Sequence, residues 1–86
     1  MAVTLWENAN FSGDKAGPYN FPISDLRSVA GDFNDKASSL QIDQTTTFYQ
    51  NINHSGAHWT LGPGKYDLAA LNAHGIPNDT ISSFFF

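Results

Sequence analysis

The sequence predicts an all-β fold, a sandwich of two sheets assembled from two pseudo-symmetric four-stranded motifs. Three observations lead there. Short β-prone runs are separated by clusters of Gly, Asn, Asp and Pro. No long stretch carries apolar residues at helical spacing. The second half of the chain repeats the first, so two copies can hide an apolar face that neither hides alone.

Taken in order, the first strand is predicted over residues 3–6, where Val3 and Leu5 alternate with Thr4 and Trp6. A folded hairpin follows. Trp6 is succeeded five residues on by Phe11 and then by Gly13, so the rings are expected to stack across the turn while Gly13 takes positive φ. A second strand is predicted over residues 38–42, with Leu40 and Ile42 inward and Gln41 outward. Residues 45–49 open the second half, and Tyr49, His54 and Gly56 repeat the hairpin spacing. A brief helical turn is predicted over residues 68–73, whose Leu-Ala-Ala-Leu-Asn-Ala has good propensity. Residues 81–86 close the chain as a strand, with Phe84 and Phe86 inward and Phe85 outward. Trp59 is expected in the core.

The repeat covers nearly the whole chain. Trp6-Glu-Asn-Ala-Asn-Phe11-Ser-Gly13 matches Tyr49-Gln-Asn-Ile-Asn-His54-Ser-Gly56 at an offset of 43 residues. Asn34-Asp35-Lys-Ala-Ser38-Ser39 matches Asn78-Asp79-Thr-Ile-Ser82-Ser83 at an offset of 44. Gly17-Pro18 through Leu26 aligns with Gly62-Pro63 through Leu71 at an offset of 45. The small indels fall between the matched blocks, as they do when loops vary and strands do not. One domain is expected over residues 1–86, with a first motif over 1–43 and a second over 44–86.

Composition narrows the function. A chain of 86 residues buries roughly two-thirds of its unfolded surface, so the core is thin. The absence of cysteine excludes disulfides, thiolate metal sites and cysteine nucleophiles, and leaves a hard metal on oxygen ligands open. Eight acids against four bases give no basic face for nucleic acid. The longest wholly apolar run is Phe84-Phe85-Phe86, far short of a membrane helix, and residues 1–20 carry no signal-peptide pattern. The compartment stays open. A monomer with at most weak self-association is expected.

Enzymatic readings find little purchase. His54 and His58 would share one face of a helix, but Gly56 lies between them in a hairpin segment. There is no Gly-x-Ser-x-Gly, no phosphate-cradling glycine loop and no convincing acid pair in a pocket. Three Asn-x-Ser/Thr triplets, at Asn10, Asn53 and Asn78, are incidental in a chain so rich in Asn and Ser. The chain is read as non-enzymatic.

An aromatic-x-x-x-x-aromatic-x-Gly hairpin followed by Asn-Asp-x-x-Ser-Ser, twice and in the same order, resembles the βγ-crystallin domain, most closely its calcium-binding microbial members. The likeness covers essentially all 86 residues. It implies a Greek-key sandwich with a tyrosine corner at Gly64-Lys65-Tyr66-Asp67-Leu68, where the first half has Phe21. His54 departs from the family's second ring, which is usually Phe or Tyr. The resemblance also implies two bound Ca²⁺ ions held between the halves. Carried over residue by residue, the first site takes the carbonyls of Glu7 and Lys36, the Ser38 hydroxyl and the Asp79 carboxylate. The second takes the carbonyls of Gln50 and Thr80, the Ser82 hydroxyl and the Asp35 carboxylate. Asn34 and Asn78 are expected to brace their loops by Asx-type hydrogen bonds, and Ser39 and Ser83 to do the same from the next strand. One carboxylate per ion implies affinity of roughly 10⁻⁶–10⁻⁴ M. Taken singly, each loop reads better as a plain polar turn, and the pairing of two such loops favours calcium. The rival function is a carbohydrate-binding, protein-binding or toxin-like module in which calcium is structural.

Overall fold

The computed structural model describes residues 2–86 and folds into two antiparallel sheets. The first has the order β2-β1-β3-β6, formed by β1 (Val3–Trp6), β2 (Lys15–Tyr19), β3 (Ser39–Ile42) and β6 (Gly64–Tyr66). The second has the order β5-β4-β7, formed by β4 (Thr46–Asn51), β5 (Ser55–Leu61) and β7 (Ser83–Phe85). The period of two decides which side chains face inward. Val3 and Leu5 of β1, Leu40 and Ile42 of β3, Phe48 of β4 and Phe84 of β7 are buried, and they meet in one core between the sheets. Gln41 and Phe85 are exposed, as their alternate positions require, and Trp59 packs partly buried against the core.

The four strands predicted from the sequence form with shifted ends. The first keeps its bounds, whereas those expected over 38–42, 45–49 and 81–86 run Ser39–Ile42, Thr46–Asn51 and Ser83–Phe85. Each of the two serine-led strands starts later because the first serines, Ser38 and Ser82, turn their N–H groups to the carbonyls of Trp6 and Tyr49 instead. The predicted helical turn is α1 (Leu68–Ala73), capped by Asp67, whose carboxylate accepts the Ala70 N–H at 2.8 Å.

The two motifs exchange strands across the sandwich, giving one sheet of four strands and one of three. Strand β6 leaves its own half and pairs with β3, placing Tyr66 opposite Leu40 and Gly64 opposite Ile42. The reciprocal strand of the first half shrinks to a single bridge between Ile23 and Phe84. Ile23 and Phe84 exchange both backbone hydrogen bonds there, at 3.2 and 3.0 Å, and the pairing goes no further. Beyond it the chain turns through a short 3₁₀ segment, Leu26–Ser28, capped by Asp25.

Candidate metal centre

The site is assembled from the hairpins upward. In the first half, Trp6 and Phe11 meet edge to face, with ring centroids 5.4 Å apart and planes at 87°. The fold-back puts Phe11 at φ 56° and Gly13 at φ 81°. In the second half, Tyr49 and His54 meet at 5.4 Å and 54°, with His54 at φ 54° and Gly56 at φ 80°. The rings are tilted or perpendicular rather than face-stacked, the arrangement that aromatic quadrupoles prefer. Where the first hairpin has Phe11, the second gains an additional tie: the Nε2 of His54 donates to the Phe84 carbonyl at 3.0 Å.

Each hairpin is pinned by the second serine of its loop motif. The Ser39 hydroxyl donates to the Asn8 carbonyl at 2.6 Å and accepts the Phe11 N–H at 3.0 Å. Ser83 makes the same pair of bonds to the Asn51 carbonyl, at 2.7 Å, and the His54 N–H, at 3.2 Å. Both serines are fully buried. They brace the hairpin rather than their own loop, which corrects the expectation drawn from the sequence.

The two loops then interlock across the halves. The N–H of Asp35 donates to the Ile81 carbonyl at 3.0 Å, and that of Asp79 to the Ala37 carbonyl at 3.4 Å. Asp35 and Asp79 both adopt left-handed backbone, at φ 56° and 58°, which aspartate tolerates better than most residues. This geometry carries each carboxylate to the serine of the opposite loop. Ser38 Oγ lies 3.1 Å from Asp79 Oδ1, and Ser82 Oγ lies 3.0 Å from Asp35 Oδ1. Of the eight residues singled out by sequence, these four side chains are thus brought together in two crossed pairs. Glu7 and Gln50 directly follow Trp6 and Tyr49, whose carbonyls hold the Ser38 and Ser82 N–H groups at 2.9 Å. Lys36 and Thr80 directly follow the two aspartates, and the Thr80 hydroxyl donates to the Pro77 carbonyl at 2.7 Å. These four are placed beside the pairs through their chain neighbours.

The asparagines behave differently from expectation and from each other. Asn78 Oδ1 accepts the Ser38 hydroxyl at 2.7 Å, reaching across the halves instead of bracing its own loop. Asn34 Oδ1 is buried and has no hydrogen-bond partner, while the Asn34 N–H donates to Asp32 Oδ1 at 3.3 Å. The role of Asn78 could have been suspected from sequence only in that both motifs begin with Asn.

The donors gathered here are carboxylate, hydroxyl, amide and backbone oxygens, a set suited to a hard cation. Among the described residues no group of three or more His, Cys, Asp or Glu side chains forms. His54 and His58 both lie against the Tyr49 ring, at 5.4 and 5.8 Å, as parts of an aromatic cluster. The buried, unpartnered oxygen of Asn34 is an acceptor left unmet by protein donors, which fits a cation or a reoriented donor nearby.

A family model for Beta/Gamma crystallin matches residues 2–85. The chain belongs to the Beta/Gamma crystallin family. It is similar to a betagamma-crystallin from an archaeon, 36% identical, covering 98% of this chain and 94% of that one with a TM-score of 0.82. It is likewise similar to a beta gamma crystallin from Ciona intestinalis, 29% identical, covering 99% and 98% with a TM-score of 0.86. Development-specific protein S of Myxococcus xanthus is 28% identical over 92 residues, 96% of this chain. The chain spans about half of that relative's length, 48%. As in the tyrosine corner that the resemblance implied, this crystallin chain ties the Tyr66 hydroxyl to the Gly62 carbonyl at 2.8 Å. Phe21, at the aligned place in the first motif, has no hydroxyl to do so and is exposed.

Proposed function

We propose that the chain is a binding module, not an enzyme, which takes up two Ca²⁺ ions at the crossed serine–aspartate pairs and is stabilised by them. The observation that carries this reading is the crossing itself: Ser38 meets Asp79, and Ser82 meets Asp35, each pair joining the two halves. An ion at either pair would therefore link residues that are distant in sequence, and its binding energy would add to folding energy. One ion would take the Ser38 hydroxyl, the Asp79 carboxylate and the carbonyls of Glu7 and Lys36. The other would take Ser82, Asp35 and the carbonyls of Gln50 and Thr80. Waters would complete the six to eight oxygens that calcium takes. A divalent cation also neutralises carboxylate charge in a chain whose formal net charge is −4.

Calorimetric titration of chelator-stripped protein tests the proposal. Two ions per chain are expected, and one each in Asp35→Ala and Asp79→Ala. No heat of binding in millimolar calcium would overturn it.

A second reading draws on the rings left in solvent. Phe21 is 54% exposed and Phe85 51% exposed, and the Phe85 ring packs against His54 at 5.4 Å on the outer face of the second sheet. Such rings suit contact with a carbohydrate or a protein, with calcium serving the scaffold. Screening on a glycan array, with Phe85→Ser as the control, separates this role from ion binding alone.

A further inference from the structure

The two crossed pairs are identical in residue type but not in hydrogen bonding. A serine hydroxyl carries one proton. At Ser38 two acceptors compete for it, and Asn78 Oδ1 at 2.7 Å lies closer than Asp79 Oδ1 at 3.1 Å. At Ser82 the acceptor is Asp35 Oδ1 at 3.0 Å. Asn34 Oδ1, which occupies the position in the motif that Asn78 Oδ1 does, is buried with nothing bonded to it.

A cation shared by a serine oxygen and a carboxylate oxygen needs the lone pairs of both and repels the hydroxyl proton lying between them. That proton must point to some other acceptor. On the Ser38 side an amide oxygen already draws it away. On the Ser82 side it must leave Asp35, and Asn34 supplies an unused buried acceptor one residue along the chain.

We infer that Asn78 preorganises the Ser38–Asp79 site, whereas Asn34 receives the Ser82 proton only as an ion arrives, so that the two sites load in order with Ser38–Asp79 first. This rests on the calcium reading above. Both asparagines are positioning residues that act through a serine. The difference between the sites is worth about one hydrogen bond, roughly three- to tenfold in Kd.

The test is calcium titration by calorimetry on the full chain, stripped with chelator, together with metal-free melting curves. Wild type should show two steps separated by roughly three- to tenfold. Asp79→Ala should remove the tighter step and Asp35→Ala the weaker. Asn78→Ala should bring the tighter step close to the weaker one and lower the metal-free melting temperature. Asn34→Ala should weaken only the weaker step and should not lower the metal-free melt, because no protein group bonds its oxygen. Two equal wild-type steps overturn the inference, as does loss of the tighter step in Asp35→Ala. A lowered metal-free melt in Asn34→Ala with both steps intact also overturns it, since the residue is then merely structural. Should Asn78→Ala not fold, the two Asp variants and Asn34→Ala still decide. A wild type that takes up no calcium sinks the parent reading as well, whereas two ions in equal steps sink this one alone.

Discussion

The Ser83 hydroxyl holds His54 in left-handed backbone, accepting its N–H at 3.2 Å while φ there stands at 54°. The same hydroxyl donates to the Asn51 carbonyl at 2.7 Å, so one buried group satisfies both walls of the hairpin. Ser83→Ala would leave a donor and an acceptor unpaired. A loss of about 1–3 kcal/mol in urea unfolding is expected, and a similar loss for Ser39→Ala. A neutral outcome at both positions would mean that water replaces the hydroxyls without cost.

Gly56 and Gly75 share nearly the same φ, 80° and 79°, in different surroundings. A Cβ on Gly56 would stand 2.6 Å from Asn51 Nδ2, whereas one on Gly75 meets nothing within 4 Å. Gly75→Ala should therefore cost only the left-handed backbone penalty, roughly 1–2 kcal/mol. Gly56→Ala should cost measurably more in the same denaturation assay. Equal losses would show that the Asn51 amide moves aside freely.

Calcium should raise the melting temperature sharply if it binds the folded chain alone. At a hundredfold excess over Kd each ion contributes about 2.7 kcal/mol, and two ions in a domain of this size shift the midpoint on the order of 20 °C. Scanning calorimetry with calcium against chelator measures this. Asp35→Ala and Asp79→Ala should each keep only part of the shift. An unchanged wild-type melt in millimolar calcium would contradict the proposed function.

Acid should erase one local contribution that a single substitution can isolate. The Arg27 guanidinium, hydrogen-bonded to Asp25 at 2.9 Å, holds the Asp25 carboxyl below its ordinary value of 3.8, helped by the Arg27 N–H. A carboxyl lowered in the folded state stabilises it fully above that ordinary value, and the benefit fades as pH falls through the folded one. Asp25→Asn keeps the capping oxygen but loses the charge. In chelator, its deficit against wild type should therefore be small and constant at neutral pH and fade as pH falls below the ordinary carboxyl value of 3.8. A gap that persists in acid would assign it to the cap.

Much of this architecture is legible in the residues. Val3 and Leu5, Leu40 and Ile42, and Phe84 declare their strands by alternation, and Gly13 and Gly56 mark the hairpins. The opposition of Asp35 to Ser82 and of Asp79 to Ser38 followed from the repeat and the family likeness together. What escaped is what identical letters cannot distinguish. Asn34 and Asn78 begin the same motif, and only the packing of the opposite loop gives Asn78 a partner. The reduced pairing at Ile23 is not legible either, since no residue beside it marks where a ladder stops after one pair. Ser39 and Ser83 were misplaced because a hydroxyl at the start of a strand can reach either its own loop or the neighbouring hairpin, and the sequence does not say which carbonyl comes near.

Strand β6 edges a sheet otherwise built by the opposite half, and Ile23 answers through its bridge to Phe84. Severing the backbone between β3 and β4 would accordingly yield two fragments that still complete each other, each supplying an edge the other lacks. A gene encoding one repeat alone would make a product with an unfilled place in its sheet, whose natural occupant is the same segment of a twin.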